Sequence, residues 1–421
     1  MKTESQGTPG TNKPRVAATH DFTAKLRQPS LFPTVESYVD WQKSLRKAKA
    51  QGTTLPPMPG HAPISINLDL TTACNYRCDH CIDWDVLNSP IKYDFQGLLN
   101  SLGTLADKGL KSVILIGGGE PTLHPGFQEC VAFLKERGLQ VSVVTNGSRN
   151  DKIYEIIDLL DDKDWIRLSL DSGSNETFSA MHKPVRADLS LDEICSWIPK
   201  LREKNPKPLI GYSYIIVWEG AEREEGVKIV ENIDEIYLAT QRAKEAGFSY
   251  ISLKPFLTRQ ENGSEVMDPQ AAAHLESCIQ RIREQVDKAR ELQTENFRVV
   301  ESINLLVLEK GNWKDFTKQP KVCHMQALRQ VLSPMGLYNC PAHRGVPKAK
   351  IAGSDAFRGE QGFGRSMDQT AEILERFDAS KECSEVTCLY HDVNWWIENA
   401  IEGRLDLSED GPGEEKRDWF L

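Results

Sequence analysis

LDLTTACNYRCDHCIDW, residues 68–84, runs from the end of an apolar segment into three cysteines spaced C-x3-C-x2-C: Cys74, Cys78 and Cys81. The segment ISINLDL (64–70) reads as a buried strand, so the cysteines fall in the loop after its C-terminal end, where ligands of α/β folds bind. Three thiolates within eight residues of loop can converge on one centre, and thiolate is the ligand that iron–sulfur clusters prefer. Three ligands for a four-iron cluster leave one iron open to a substrate or cofactor. The plain alternative is zinc, which usually takes paired C-x2-C knuckles; no second pair of that kind follows nearby.

Beyond the loop the chain alternates apolar runs with amphipathic stretches. SVILIG (112–117), QVSVVTN (140–146), WIRLSLD (165–171), YSYIIVW (212–218) and YISLKPF (250–256) read as five further strands, separated by segments such as GFQECVAFLKERG (126–138). Strands alternating with helices imply a parallel sheet with crossover connections. An open sheet and a partial barrel both fit that pattern. After the second strand comes GGGEPTLHP, 117–125, whose glycines let backbone approach a ligand and whose carboxylate can pair with an ammonium group.

Together the cysteine array and the GGEP turn resemble the radical S-adenosylmethionine (SAM) superfamily over residues 63–257. The resemblance implies an α/β fold, a partial (β/α)6 TIM-type barrel. It also implies a [4Fe–4S] cluster on Cys74, Cys78 and Cys81 whose open iron chelates SAM and, when reduced, yields a 5′-deoxyadenosyl radical. Gly118, Gly119, Glu120 and Pro121 map onto the motif that receives the SAM amino group. His80 takes the position beside the adenine. Asn146, Ser169 and Asp171 end the third and fourth strands, where SAM ribose or carboxylate contacts occur in the family; capping of the following turns is the alternative. No G-x-I-x-G-x-x-E pattern marks the fifth strand. Lys254, charged within an apolar strand, suits either an anionic substrate group or a structural ion pair.

Four more cysteines, Cys323, Cys340, Cys383 and Cys388, lie in the C-terminal part, with PMGLY (334–338) reading as a hairpin turn between the first two. This part resembles the twitch auxiliary-cluster domain, the shorter relative of the SPASM domain, and implies a second [4Fe–4S] cluster. The C-x4-C spacing of the last pair is wider than usual, which leaves His391 as an alternative to Cys388. A structural zinc or plain packing of the thiols is the bland reading of these cysteines. His343 and Arg344, next to Cys340, suit either an anionic substrate or an exposed basic surface. Cys130, Cys195 and Cys278 sit in helical stretches, as core residues or as a hydrogen donor to a substrate radical.

The chain has 421 residues and a formal net charge of -10, which argues against a nucleic-acid partner. No run approaches the roughly 20 apolar residues of a membrane span, and the polar start lacks a secretory signal, so a cytoplasmic protein is expected. Ten cysteines then point to metal or redox chemistry. The expected organisation is a partly disordered N-terminal extension (1–60), the radical SAM core (61–257), a helical linker (258–320) and a smaller auxiliary-cluster domain (321–421). The expected function is oxidation or epimerisation of a small polar substrate, sugar- or aminocyclitol-like, with electrons from a flavodoxin or ferredoxin. A radical SAM maturase of ribosomal peptides is the first alternative, although residues 1–60 are short and polar for a peptide-recognition domain. A non-enzymatic iron–sulfur carrier is the second.

Overall fold

A computed structural model of the chain describes residues 20–223, 226–259, 263–267, 269 and 274–421. The segment 1–19, the first part of the extension expected over 1–60, lies outside the described residues.

The six expected strands form: β1 (Ser65–Leu68), β2 (Ser112–Leu115), β3 (Gln140–Thr145), β4 (Trp165–Ser169), β5 (Leu209–Ile216) and β6 (Tyr250–Pro255). Four more join the same sheet: β7 (Arg298–Glu301), β8 (Arg329–Ser333), β9 (Gly336–Tyr338) and β10 (Lys350–Ala352). Their spatial order is β7-β6-β5-β4-β3-β2-β1-β8-β9-β10. From β7 to β8 every neighbouring pair is parallel, while β8, β9 and β10 are antiparallel. The hairpin turn expected over 334–338 is the β8–β9 connection, narrowed to Pro334 and Met335, with Gly336–Tyr338 in β9.

Residues along a strand face opposite sides. Val141, Val143, Ile166, Leu168, Ile251 and Leu253 point outward into one large apolar core beneath helices such as Phe95–Asp107 and Ile236–Ala246. The first of these helices starts at Asp94, whose carboxylate accepts from Gly97 N, the role that short acidic side chains play at helix starts. It buries Leu98, Leu102 and Leu105 along one stripe. The alternate strand residues line a polar interior that includes Asn67, Asp69, Ser142, Arg167, Ser169, Ser213, Tyr250, Ser252 and Lys254.

The chain end closes the N-terminal side of this interior. Ser112 Oγ donates to Trp419 O, Gln140 Nε2 donates to Arg417 O, and the Phe420 ring meets the Trp165 ring edge-on at 5.4 Å. Phe420 and Leu421 are buried. The last residues are therefore docked at the strand starts, and the cysteine loop follows the opposite, C-terminal end of β1.

A second apolar cluster lies beyond β8. Phe22, Leu26, Phe32, Val35, Tyr38 and Leu45 of the N-terminal helices pack there against Leu328, Val393, Ile397 and Ile401. The longest of the N-terminal helices spans Phe32–Gln51, and a further long helix spans Leu275–Arg290. Among the described residues no helix is long and apolar enough to cross a membrane.

Candidate active site

Cys74, Cys78 and Cys81 sit in the loop after β1, held from both sides. Asn88, at φ 56, donates through its backbone N to Thr72 O, and its side chain accepts from Cys74 N at 3.0 Å. On the other flank the glycine turn after β2 presses against the loop: Glu120 N donates to Ala73 O at 2.8 Å. A Cβ on Gly119 would stand 2.3 Å from Ala73 O, so only glycine permits this approach.

The Cys78 sulfur lies 3.2 Å from Nδ1 of His182, and Nε2 of that ring is 2.9 Å from Leu170 O. With Nε2 donating to the carbonyl, Nδ1 accepts from the thiol. Burial, and then His80, brings the His182 pKa down to about 4, so the ring is neutral. Burial followed by the neighbouring thiols raises Cys78, while burial and then Asp83 push Cys81 up to about 12. Burial is also the main cause of the upward shift at Cys74. Three half-buried thiolates repel one another unless a cationic centre neutralises them. That donor set fits an iron–sulfur cluster.

Several motif residues are already committed to protein partners. The buried Glu120 carboxylate accepts from Thr122 Oγ1 (2.6 Å), Thr145 Oγ1 (2.7 Å) and Asn146 N (2.7 Å), binding the end of β2 to that of β3. Asp171, at φ 46, accepts from Ile215 N through Oδ1 and faces His80 Nε2 at 3.0 Å through Oδ2. His80 and Asp171 thus hold each other, with the other ring nitrogen of His80 buried and unpartnered. Asn146 reaches Asn75 Oδ1 at 2.9 Å and Cys74 Sγ at 4.0 Å. Ser169 faces the interior at the end of β4, level with Ser213. Pro121 opens a short 3-10 turn.

The four C-terminal cysteines line one cavity that opens to solvent. Cys340 follows β9, Cys383 and Cys388 flank a turn after the helix Gly359–Arg376, and Cys323 precedes the turn Met325–Leu328. The Cys323 loop is fixed through its neighbour His324: Nδ1 is 2.9 Å from Tyr38 Oη and Nε2 is 2.8 Å from Glu398, which Arg46 grips with two nitrogens. Burial raises all four thiols, Cys340 to about 12, and at Cys383 the other three add to it. The structure brings Cys388 to this cavity; His391 turns away, its ring against Phe316 and Nδ1 at 2.9 Å from Asp392. His343 also lines the cavity, fully buried and edge-on to Phe377.

Arg344 corrects the expectation of an exposed or substrate-facing base. Its guanidinium is buried, donates through Nη1 to both Asp83 oxygens (3.0 and 2.8 Å), and places Nε 2.9 Å from Asp69 Oδ2. It lies over Gly117, where a Cβ would stand 2.5 Å from Nη1. Arg259 donates to Arg344 O at 2.9 Å and pairs with Asp85. Asp69, Asp83, Arg259 and His182 carry no motif that a reading of the sequence would single out. Cys130, Cys195 and Cys278 are buried within the outer apolar core.

The loop, the glycine turn and the partial barrel around them define a class. Residues 68–233 match the Radical SAM superfamily, whose members use SAM and a [4Fe–4S] cluster. A SAM-dependent nucleotide dehydratase of Selenomonas ruminantium is 30% identical over 156 residues, 36% of this chain and 56% of that one. The mycofactocin maturase MftC of Mycobacterium ulcerans is 31% identical over 121 residues, 28% of this chain and 32% of that one. The chain thus spans about half, or less, of the length of the curated relatives it matches. SuiB of Streptococcus suis, solved bound to SAM, superposes with a TM-score of 0.52 at 15% identity, covering 76% of this chain and 68% of that one; the likeness is one of fold.

Proposed function

We propose that the chain is a two-cluster radical SAM oxidoreductase or epimerase acting on a small polar substrate inside the barrel. Cys74, Cys78 and Cys81 would hold the SAM cluster. Cys323, Cys340, Cys383 and Cys388 would hold a fully ligated auxiliary cluster. When bound and reduced, the first cluster and SAM supply a 5′-deoxyadenosyl radical, which takes hydrogen from an unactivated C–H bond.

The chain's own residues arrange the rest. The close approach of Gly119 to Ala73 sets the cysteine loop against the glycine turn, so the backbone of Gly118–Pro121 would receive the SAM amino group. Glu120 would serve by locking that turn to Asn146 rather than by meeting SAM directly. His80, held by Asp171, would present its loop to the adenine, with Ser169 beside the ribose. The docked tail keeps water from entering at the barrel floor. A flavodoxin- or ferredoxin-type donor would supply the electron, and the cytoplasm is the expected setting.

The observation that carries this reading is the convergence of all four C-terminal cysteines on one cavity. The relative acting on a nucleotide favours a small molecule, while the mycofactocin maturase keeps a peptide substrate as the second reading. The test is iron and sulfide per chain in a Cys74/Cys78/Cys81→Ala variant reconstituted without oxygen. About four irons should remain in the C-terminal site. Loss of all iron would remove the auxiliary cluster from the proposal.

A further inference from the structure

Arg167 on β4 and Tyr250 on β6 face the barrel interior on either side of Gly211 of β5, and Lys254 faces the same interior four residues further along β6, level with Ile215. Gly211 has no side chain, and the Tyr250 ring fills that space: a Cβ there would stand 2.5 Å from the Tyr250 hydroxyl. Among the described residues neither cation has a hydrogen bond or ion pair, and the Tyr250 hydroxyl has no hydrogen bond. Arg167 stacks over Trp165 at 5.2 Å, and its Nε is buried without a partner. Lys254 is half-buried in that interior, where burial first and Arg167 second disfavour its proton. Asp171, the carboxylate whose charge reaches both, is spent on His80 and Ile215 N.

An unpaired charge taken from water is costly unless something compensates it. Two of them, near enough to repel, are a larger cost that a folded chain does not carry for packing alone. An apolar pair of similar length would fill the same space without it.

We propose that Arg167, Tyr250 and Lys254 form a subsite for an anionic group of the substrate, a phosphate or a carboxylate. The guanidinium offers a planar pair of donors, the ammonium a point charge and the phenol one further donor. The subsite lies across the interior from Cys74 and the glycine turn, so an anion held there orients the remainder of the substrate toward the radical source. This inference rests on the proposed function, because it takes the barrel interior to be the substrate site.

The test uses the reconstituted holoenzyme and its Lys254→Met, Arg167→Met and Lys254→Arg variants, with inorganic phosphate and acetate as probes and SAM as control. Phosphate or acetate should bind the wild type, and each Met variant should weaken that binding about tenfold or more. Lys254→Arg should retain it. The stronger of the two probes names the group. The Met variants should melt higher than wild type in anion-free buffer and gain nothing from the probe, since ligand binding stabilises only a chain that has the site. Equal probe binding in wild type and both Met variants would overturn the subsite. So would a tenfold loss of SAM affinity in them, which would assign the cations to the SAM carboxylate. Formation of 5′-deoxyadenosine from SAM by the wild type is measured separately; its absence would overturn the proposed function and leave the anion result readable.

Discussion

Arg344 donates to both carboxylate oxygens of Asp83, and this one buried pair ties the segment after Cys340 to the segment after Cys81. The same guanidinium lies over Gly117 and beside Asp69, so the ends of β1 and β2 are held by a residue from the C-terminal part. The spacing between the two cysteine groups is therefore set by protein contacts and not by cluster ligation alone.

Removing one partner of a buried pair leaves the other charge uncompensated. Arg344→Met should therefore destabilise the fold by about 3–5 kcal/mol. Arg344→Met/Asp83→Asn should lose less than the sum of the single changes, a coupling that a double-mutant cycle of denaturation midpoints would reveal. Additive effects would show that the pair does not act as a unit.

At Gly119 the obstacle is backbone. An alanine methyl would meet Ala73 O and the Thr72 carbonyl carbon, neither of which can swing aside as a side-chain tip does. Gly119→Ala should displace the Cys74 loop and lower reconstituted iron by about four per chain, one cluster, with the C-terminal cluster retained. Gly364, on an exposed helix face with nothing within 4 Å, is the matched control: Gly364→Ala should keep all iron and gain up to about 1 kcal/mol.

The six core strands were legible because each is an apolar run of the right length, three of them ending in Gly, Asn or Asp. The cysteine loop was legible because spacing along a loop limits where thiols can reach. Strands β7 and β8 were not: FRVVE and RQVLS are short, carry charge, and owe their strand state to edges offered by β6 and β1. Arg344 was misread for a related reason. A lone arginine in a Gly- and Pro-rich segment looks exposed, and only the fold reveals that carboxylates from two distant loops meet it. Glu120 and Asp171 stood out in the sequence as carboxylates near a cofactor, yet their oxygens are occupied by neighbours in space.

Cys388 and His391 can be separated directly. Cys388 lines the C-terminal cavity while His391 faces Phe316 and Asp392. Cys388→Ala should bleach the visible absorption of that cluster in the Cys74/Cys78/Cys81→Ala background, and His391→Ala should leave it. The reverse pattern would make the histidine the ligand.

Asp69 predicts a pH dependence of stability. Burial raises its carboxyl pKa to about 8, Arg344 opposes the rise and Asp83 adds to it; Oδ1 has no partner. An unfolded aspartate titrates near 3.9, so between about pH 4 and pH 8 the folded chain binds a proton that the unfolded chain has released. Stability from this group therefore falls as pH rises through that window and is flat above it. Asparagine cannot ionise, so Asp69→Asn should remove that slope. Melting midpoints of the cluster-free chain at pH 6 and pH 9 would show it: wild type should lose more on going to pH 9 than the variant does. Equal losses would mean that Asp69 stays ionised throughout and that Arg344 compensates it fully.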